Sequence, residues 1–266
     1  MTRRPKPAQP APPPPDRPGQ KRLRAICCEI LHREMCLVTA TCPNVVDLDF
    51  LPKGLHDAGP EEMGRVIQEH IDAVDPAVYD GACLGFGLCS NGTVGLRART
   101  VPVVVPRAHD CVTLFFGSKE VYRSYFDRHP GTYFRTTGWS ERDFCWQRTS
   151  IPSQLGMDKD FNDYVRQYGT ENAEFIMQML TSWERHYNRM AYIDTGIASF
   201  LPHAEEAERE AIARGWAFER LAGDLSLIEA LVGGPWLDDE FLVLQPGQEL
   251  IAANDGAIIA ARDVQA

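Results

Sequence analysis

The feature that most constrains the fold is a repeated association between a short apolar run and a cysteine at its end. The runs LRAIC, ACLGF and VPVVV each lead into a polar segment, and these segments carry Cys28, Cys89 and Cys111. Apolar runs of this length, bounded by glycine, proline and polar residues, are typical of buried β-strands. In open α/β sheets, ligands bind outside the carboxyl ends of the strands. The pattern therefore predicts a parallel sheet with a functional site at the three strand ends.

The remaining sequence alternates segments that are typical of strands and of helices. VVDLDFL alternates as a strand does, and Glu61–Val74 has an acidic first turn and the apolar spacing of an amphipathic helix. Between them, Lys53–Pro60 is predicted to be a loop that contains His56. Ser118–Arg128 begins with a serine that can cap a helix. This alternation predicts an α/β fold with a doubly wound, mostly parallel sheet, built as one unit or as two similar lobes that meet at a cysteine-lined cleft.

The N-terminal tail differs in composition from the rest of the chain. Eight prolines lie between Pro5 and Pro18, together with arginine and lysine residues. A segment of this composition cannot bury enough apolar surface to offset the entropy of ordering it. We therefore predict a disordered tail over residues 1–20 and one α/β domain over residues 21–266. A ligand for a proline-recognition domain is the functional alternative for the tail.

Charge and cysteine content narrow the class of function. The 266-residue chain has a formal net charge of -10 and 44% hydrophobic residues, so it can build a core but offers no basic patch outside its tail. We expect neither nucleic acid nor a membrane as a partner, and favour a small-molecule substrate or another protein. A chain of this length does not need disulfides, and we see no apolar segment near its start of signal-peptide or transmembrane length. We expect reduced thiols in the cytoplasm.

The three cysteines form a candidate metal site. Zinc prefers thiolate and imidazole ligands, and three protein ligands with one open position are typical of catalytic zinc. Cys28, Cys89 and Cys111 are therefore predicted to be zinc ligands. Three cysteines would also hold an iron-sulfur cluster with one open iron. Because no Cys-x-x-Cys pair is present, three unrelated buried cysteines remain the alternative.

Polar residues beside two of these cysteines are candidates for catalysis. Glu29 follows Cys28 directly, and His109 and Asp110 precede Cys111. A carboxylate or an imidazole next to a metal can move protons during a reaction. We assign catalytic roles to Glu29, His109 and Asp110, with His109 as a proton shuttle or an alternative metal ligand.

Other residues near the cysteines are candidates for substrate binding. Arg107 can bind a carboxylate or phosphate with two hydrogen bonds, although a structural salt bridge is the alternative. Asn91 and Gly92 lie in a glycine-rich segment around Cys89, which permits close approach of the backbone to a ligand. Trp139 ends the strand-like segment GTYFRTTGW and is predicted to form the wall of a pocket, with a core position as the alternative.

Several of these segments resemble a known family. CEIL at Cys28, GLCSNG around Cys89 and PRAHDC before Cys111, followed by LFFGS, resemble the signature of the bacterial and archaeal DUF1638 family, whose function is unknown. The resemblance covers about Leu23–Arg220 and excludes the Pro-rich tail. It implies an association with corrinoid-dependent methyltransferase systems.

Three hypotheses for function follow. In the first, the chain is a metal-dependent enzyme or accessory protein of one-carbon metabolism, in which zinc activates a thiol or another nucleophile in its open position. In the second, it is a metal or corrinoid carrier without turnover, whose partner is a corrinoid protein or a methyltransferase. In the third, Cys89 and Cys111 perform thiol redox chemistry, which is least favoured because the sequence contains no resolving pair.

Overall fold

The computed structural model of the chain describes residues 19–142, 161–170, 172–174 and 186–264. The strands are β1 (Arg22–Cys28), β2 (Val45–Leu51), β3 (Gly81–Gly85), β4 (Val103–Pro106), β5 (Thr132–Thr136), β6 (Arg189–Asp194), β7 (Ala217–Ala222), β8 (Phe241–Leu244), β9 (Gln248–Ala252) and β10 (Ile259–Asp263). The α-helices are α1 (His32–Thr41), α2 (Pro60–Asp72), α3 (Val112–Phe115), α4 (Lys119–Arg128), α5 (Phe161–Tyr168), α6 (His203–Ala213) and α7 (Ser226–Gly233). Two short 3-10 helices cover Glu29–Leu31 and Lys53–His56. Most of the predicted tail, residues 1–18, lies outside the described residues, so the tail and the domain boundary stay predictions.

The first sheet contains five strands in the order β2-β1-β3-β4-β8. The first four strands are parallel, and β8 joins the edge antiparallel to β4. Every residue of β3 and β4 is buried, which explains why these strands are continuous apolar runs rather than alternating ones. Cys28 pairs with Leu51 of β2, and Cys27 pairs with Gly85 of β3. The carboxyl ends of β1, β2 and β3 therefore lie side by side.

The second sheet contains the parallel strands β5, β6 and β7, with β6 in the centre. Strands β9 and β10 form a separate antiparallel pair. The α/β class with a mostly parallel sheet is thus confirmed. The segment after the first sheet contacts the second sheet, where the ring of Phe116, just after α3, meets that of Phe134 in β5 edge-on at 5.8 Å. The Thr195 hydroxyl, just after β6, donates to the buried Glu34 carboxylate of α1 at 2.9 Å.

The helices form where the sequence signals place them. Helix α2 begins at Pro60, whose missing N–H costs nothing in the first turn, and Glu61 and Glu62 follow with charges that suit a helix N-terminus. The Ser118 hydroxyl accepts hydrogen bonds from the amides of Glu120 and Val121, as predicted for the cap of α4. Among the described helices, none is long and apolar enough to cross a membrane.

The segment after β5 differs from the sequence prediction. The predicted strand over Gly131–Trp139 ends at Thr136, where its pairing with β6 also ends, and residues 137–142 are helical. Gly138 explains this change, because a Cβ atom there would lie only 1.8 Å from the carbonyl oxygen of Ile30. The backbone at Gly138 therefore packs directly on the 3-10 helix that follows Cys28. This contact joins the second sheet to the ligand-bearing edge of the first.

Candidate metal centre

Three side chains from three separate segments converge at the carboxyl edge of the first sheet. Cys28 is the last residue of β1, His56 ends the 3-10 helix that follows β2, and Cys111 directly precedes α3 after β4. The two sulfur atoms and an imidazole nitrogen all lie within 4.8 Å of one another. They converge because the parallel strands that precede them end at the same edge of the sheet. These three residues are called the ligand trio below.

Cys89 lies beside the ligand trio through its contact with Cys111. The pKa of the Cys89 thiol is lowered, chiefly by the thiol of Cys111, and the Cys89 amide donates to the carbonyl of His109 at 2.8 Å. The backbones of Cys89, Ser90 and Asn91 are all left-handed, with φ values of 48°, 54° and 69°. Successive left-handed residues other than glycine are strained, and such strain is typical of functional sites. It holds the Cys89 thiol against the loop that carries Cys111.

The loop geometry also requires glycine on both sides of Cys89. A Cβ atom at Gly87 would lie 2.7 Å from the backbone nitrogen of Asp110, and one at Gly92 would lie 2.4 Å from the sulfur of Met63. This loop, residues 86–102, joins β3 to the parallel strand β4 without a helix, although parallel neighbours are usually connected through one. The connection brings Cys89 to the segment before Cys111, where its amide meets the His109 carbonyl.

The three thiols and the imidazole differ in solvent exposure. Cys28, Cys89 and Cys111 are at most 4% exposed, whereas His56 is partly exposed. The imidazole is therefore the solvent-facing member of the group. A site of this kind excludes bulk water from the sulfur atoms, which strengthens the electrostatic interactions between them.

The hydrogen bonds between these groups shift their proton affinities in opposite directions. The bond from Cys111, together with His56, lowers the pKa of Cys28 to about 6 in spite of its burial. Hydrogen bonds to Cys28 and Cys89, together with burial, raise the pKa of Cys111. Burial alone would lower the pKa of His56, but the hydrogen bond to Cys28 and the charges of Cys89 and Cys28 outweigh it and raise that pKa to about 9. The metal-free site thus favours a Cys28 thiolate beside a His56 imidazolium.

The donor set fits zinc. Two thiolates and an imidazole match the protein ligands of a Cys₂His catalytic zinc site. Zinc bonds of about 2.0–2.3 Å in tetrahedral geometry place ligand atoms roughly 3.5–3.8 Å apart. The present spacing, within 4.8 Å, needs a contraction of about 1 Å to reach it. The Cys89 thiol, beside Cys111, is a candidate protein group for a fourth position.

The predicted catalytic residues lie around the ligand trio rather than within it. Glu29 accepts a hydrogen bond from the Lys53 amide at 3.0 Å, and its other oxygen lies 3.8 Å from Nε of Arg142. Asp110 accepts hydrogen bonds from the Thr113 amide at 3.1 Å and from the Tyr122 hydroxyl at 2.9 Å. These bonds hold Asp110 at the start of α3, and its negative charge acts on the thiol of Cys89.

His109 is the third residue with a predicted catalytic role. Its side chain is exposed, and its backbone carbonyl holds the amide of Cys89. His109 therefore contributes to the site through its main chain in this structure. Its predicted role as a proton shuttle or alternative ligand stays a prediction.

The predicted substrate-binding residues occupy several different positions. The Arg107 guanidinium donates to the carbonyl oxygens of Asp238 at 2.6 Å and Ala257 at 3.0 Å, and also to that of Ile259, so it ties the end of β4 to the C-terminal segment. Trp139 packs under the Lys53 ammonium group, which lies 4.4 Å from the ring centre. Asn91 is exposed on the strained loop, and Gly92 is buried in the same loop. Their roles in binding remain predictions.

His56 is the member of the ligand trio that the sequence prediction did not assign. His56 lies in the predicted loop Lys53–Pro60. It was not assigned because the prediction selected cysteines that follow apolar runs, and His56 does not belong to that pattern. The available signal was its position shortly after VVDLDFL, since β2 lies next to β1 and ends at the same edge. That neighbour relation is a property of strand order, which the sequence does not state.

The comparison with protein families identifies the family of the chain. The family model described as a protein of unknown function, DUF1638, matches residues 50–232. The chain belongs to the DUF1638 family. The matched region of this DUF1638 chain contains His56, Cys89 and Cys111 but begins after Cys28, whereas the predicted resemblance began at about Leu23. No curated protein and no solved structure matches the chain.

Proposed function

We propose that Cys28, His56 and Cys111 bind one Zn²⁺ ion in a site that keeps an open fourth position. The convergence of two thiols and an imidazole within 4.8 Å carries this proposal, because these side chains come from three different segments of the chain. It replaces Cys89 by His56 in the set of three ligands and retains Cys28 and Cys111. Cys89 then lies beside the metal as a neighbour of Cys111.

The proposed chemistry is activation of a nucleophile by the metal. A thiol substrate that enters the open position loses its proton on binding zinc, and the thiolate is the nucleophilic form. The partly exposed side of His56 offers an approach to the buried sulfur atoms. Such a centre would suit methyl transfer to a thiol from a corrinoid partner: the thiolate would form a bond to the methyl carbon as the carbon–cobalt bond breaks, the cobalt would keep the electron pair, and the thiol proton would pass to solvent. We propose this one-carbon reaction as the activity. The donor set supports a metal-bound thiolate, and the corrinoid partner is what the family resemblance implies.

A second candidate is a closed site without turnover. The position of Cys89 beside Cys111 favours it, because a movement of the Cys89 thiol toward the metal would complete a Cys₃His zinc site. A closed site would store or deliver metal, or stabilise the fold, and would have no position for a substrate. Cys89 therefore decides between the two candidates.

Metal analysis of single variants tests both candidates. We expect one zinc per chain in the purified protein and little or none in Cys28→Ser, His56→Ala and Cys111→Ser, because each variant loses one of the three protein ligands. Cys36→Ser, at an exposed position of α1, is the matched control and should retain full metal content. An open site predicts that Cys89→Ser retains zinc, whereas a closed site predicts its loss. If Cys28→Ser contained as much zinc as the parent protein, the proposed site would be wrong.

Spectroscopy and a rate measurement complete the test. Replacement of zinc by Co²⁺ should give the absorption of a tetrahedral thiolate complex, whereas an iron-sulfur cluster would colour the protein as isolated. With methylcobalamin as methyl donor and a small thiol as acceptor, the enzyme hypothesis predicts a zinc-dependent rate that His56→Ala abolishes. A zinc-loaded protein without such a rate would support the carrier hypothesis.

A further inference from the structure

A cleft of about 780 Å³ lies where the carboxyl end of β1 faces the carboxyl ends of β5 and β6. It therefore lies between the two parallel sheets, in the position where α/β proteins usually bind their ligands. Its volume is within the range of about 300–1,000 Å³ that is typical of sites for small molecules. Its walls include His32, Arg33, Glu141, Arg142, Leu201 and His203.

The charged groups of the cleft are mostly cationic. Two guanidinium groups and two imidazoles face a single carboxylate, that of Glu141. Arg33 donates hydrogen bonds to both oxygens of this carboxylate, because its Nε lies 3.0 and 2.9 Å from the two oxygens of Glu141. His203 lies 3.0 Å from Glu206 on its own helix. Arg142 faces Glu29 at 3.8 Å, the longest of these ion pairs, and the His32 ring packs against Phe50 with the ring centres 4.7 Å apart.

Arg142 is only weakly paired. Among the described residues, its Nε atom is buried without a hydrogen-bond partner, and its ion pair with Glu29, at 3.8 Å, is beyond hydrogen-bond distance. A buried donor on a charged group is costly when it is unpaired. The side chain lines the cleft and is 29% exposed, so an anion in the cleft can reach the guanidinium group from its open side. Carboxylate and phosphate both match the fork of a guanidinium group.

We propose that this cleft binds a small organic anion, a carboxylate or a phosphate ester, with its anionic group on Arg142 and its apolar part on Ile197 and Leu201. Both of these apolar side chains line the cleft. The site is separate from the ligand trio, although Glu29 lies between the two, following Cys28 and facing Arg142. Anion binding therefore needs no metal, and the proposal does not depend on the zinc site.

Calorimetric titration of the full chain with inorganic phosphate and with succinate tests the proposal. Each probe is titrated into zinc-loaded protein and into protein treated with a chelator. We expect at least one probe to bind in both states, and Arg142→Gln to weaken its binding about tenfold or more, as for the loss of a charge-assisted hydrogen bond. Arg142→Lys keeps the charge but loses the two-pronged geometry of the guanidinium group. Its affinity for the probe should lie between those of the parent protein and Arg142→Gln. Stronger binding of phosphate than of succinate would identify a phosphate ester as the ligand class. Stronger binding of succinate would identify a carboxylate.

Arg123→Gln is the matched control, because Arg123 is exposed on α4 and away from the cleft. It should bind the probe as the parent protein does, and thermal unfolding shows whether each variant is folded. Equal affinity in Arg142→Gln and the parent would overturn the proposal, as would the absence of binding of both probes at millimolar concentration. Binding only in the zinc-loaded state would also overturn it, since the anion would then be a ligand of the metal. If the parent protein bound the anion but no zinc, the proposed metal centre would be wrong and the proposed anion site would stand.

Discussion

At the scale of residues, the most direct physical property of the site is the protonation of Cys28 and His56, which Cys111 and the two groups themselves shift. The pKa of Cys28 is lowered from 9.0 to about 6, so its contribution to stability is complete above pH 9 and is lost as the pH falls through 6. The pKa of His56 is raised from 6.5 to about 9, so its contribution is complete below pH 6.5 and is lost as the pH rises through 9. These two contributions change in opposite directions over nearly the same range. The free energy of unfolding will therefore show little of this coupling. Direct titration of the Cys28 thiolate is the measurement that detects it.

We predict that Cys28 titrates with a midpoint at about pH 6 in chelator-treated protein. Replacement of His56 by Gln removes the positive charge and should move this midpoint upward, toward the ordinary value of about 8.5. The ultraviolet absorbance of thiolates measures the titration, and Cys28→Ser, which should lack the low step, identifies it. A parent protein with no thiolate step below pH 8 would contradict the proposed Cys28–His56 pair.

At the scale of elements, local signals in the sequence predicted the positions of strands and helices well. VVDLDFL forms β2 with the same bounds, Val45–Leu51, because its alternation fits a strand that is partly buried. Ser118 caps α4 as its hydroxyl predicted. The end of β5 was wrong by three residues, because the contact of Gly138 with Ile30 is a tertiary constraint that no local pattern contains. Boundaries set by packing between elements are therefore the part that sequence patterns miss.

We predict that Gly138→Ala destabilises the protein by about 3 kcal/mol, because its Cβ would overlap the backbone oxygen of Ile30 and the overlap is relieved only by moving one element. Since Ile30 follows Cys28 closely, zinc affinity should fall as well. Urea unfolding and metal titration measure the two effects.

Gly233→Ala is the control, at the end of α7, where a Cβ would meet its nearest atom at 3.8 Å. It should be neutral or slightly stabilising, because alanine favours a helix more than glycine does. An equally small effect at Gly138 would show that residues 137–142 can move away from the 3-10 helix without cost.

At the scale of the whole molecule, the convergence of the strand ends was predictable, but the identity of every ligand was not. Parallel strands that end in cysteine place their thiols at one edge, and Cys28 and Cys111 meet there. His56 joins them because β2 is the neighbour of β1, and strand order depends on packing over the entire chain. The docking of the second sheet, which forms the cleft beside Arg142, likewise depends on contacts between distant segments such as Glu34 and Thr195. Sequence patterns thus predicted the place of the site better than its composition.

The same separation along the chain couples metal binding to folding. No segment shorter than Cys28–Cys111 contains all three proposed ligands, so the site exists only when the first sheet has formed. We predict that zinc at about 100 times its dissociation constant stabilises the chelator-treated protein by roughly 2.7 kcal/mol. For a chain of this size that is a rise of roughly 5–10 °C in the thermal midpoint.

Calorimetric or fluorescence melts measure this rise. Cys111→Ser should lose it, because the remaining thiol and imidazole cannot close the site, while the exposed Cys36→Ser should keep it. A synthetic peptide covering Gly85–Gly117 contains Cys89 and Cys111 but neither Cys28 nor His56, so it should bind zinc far more weakly than the whole chain. If the peptide bound zinc as tightly as the protein, the metal would be held by the local loop, and the three segments would converge for a reason other than metal binding.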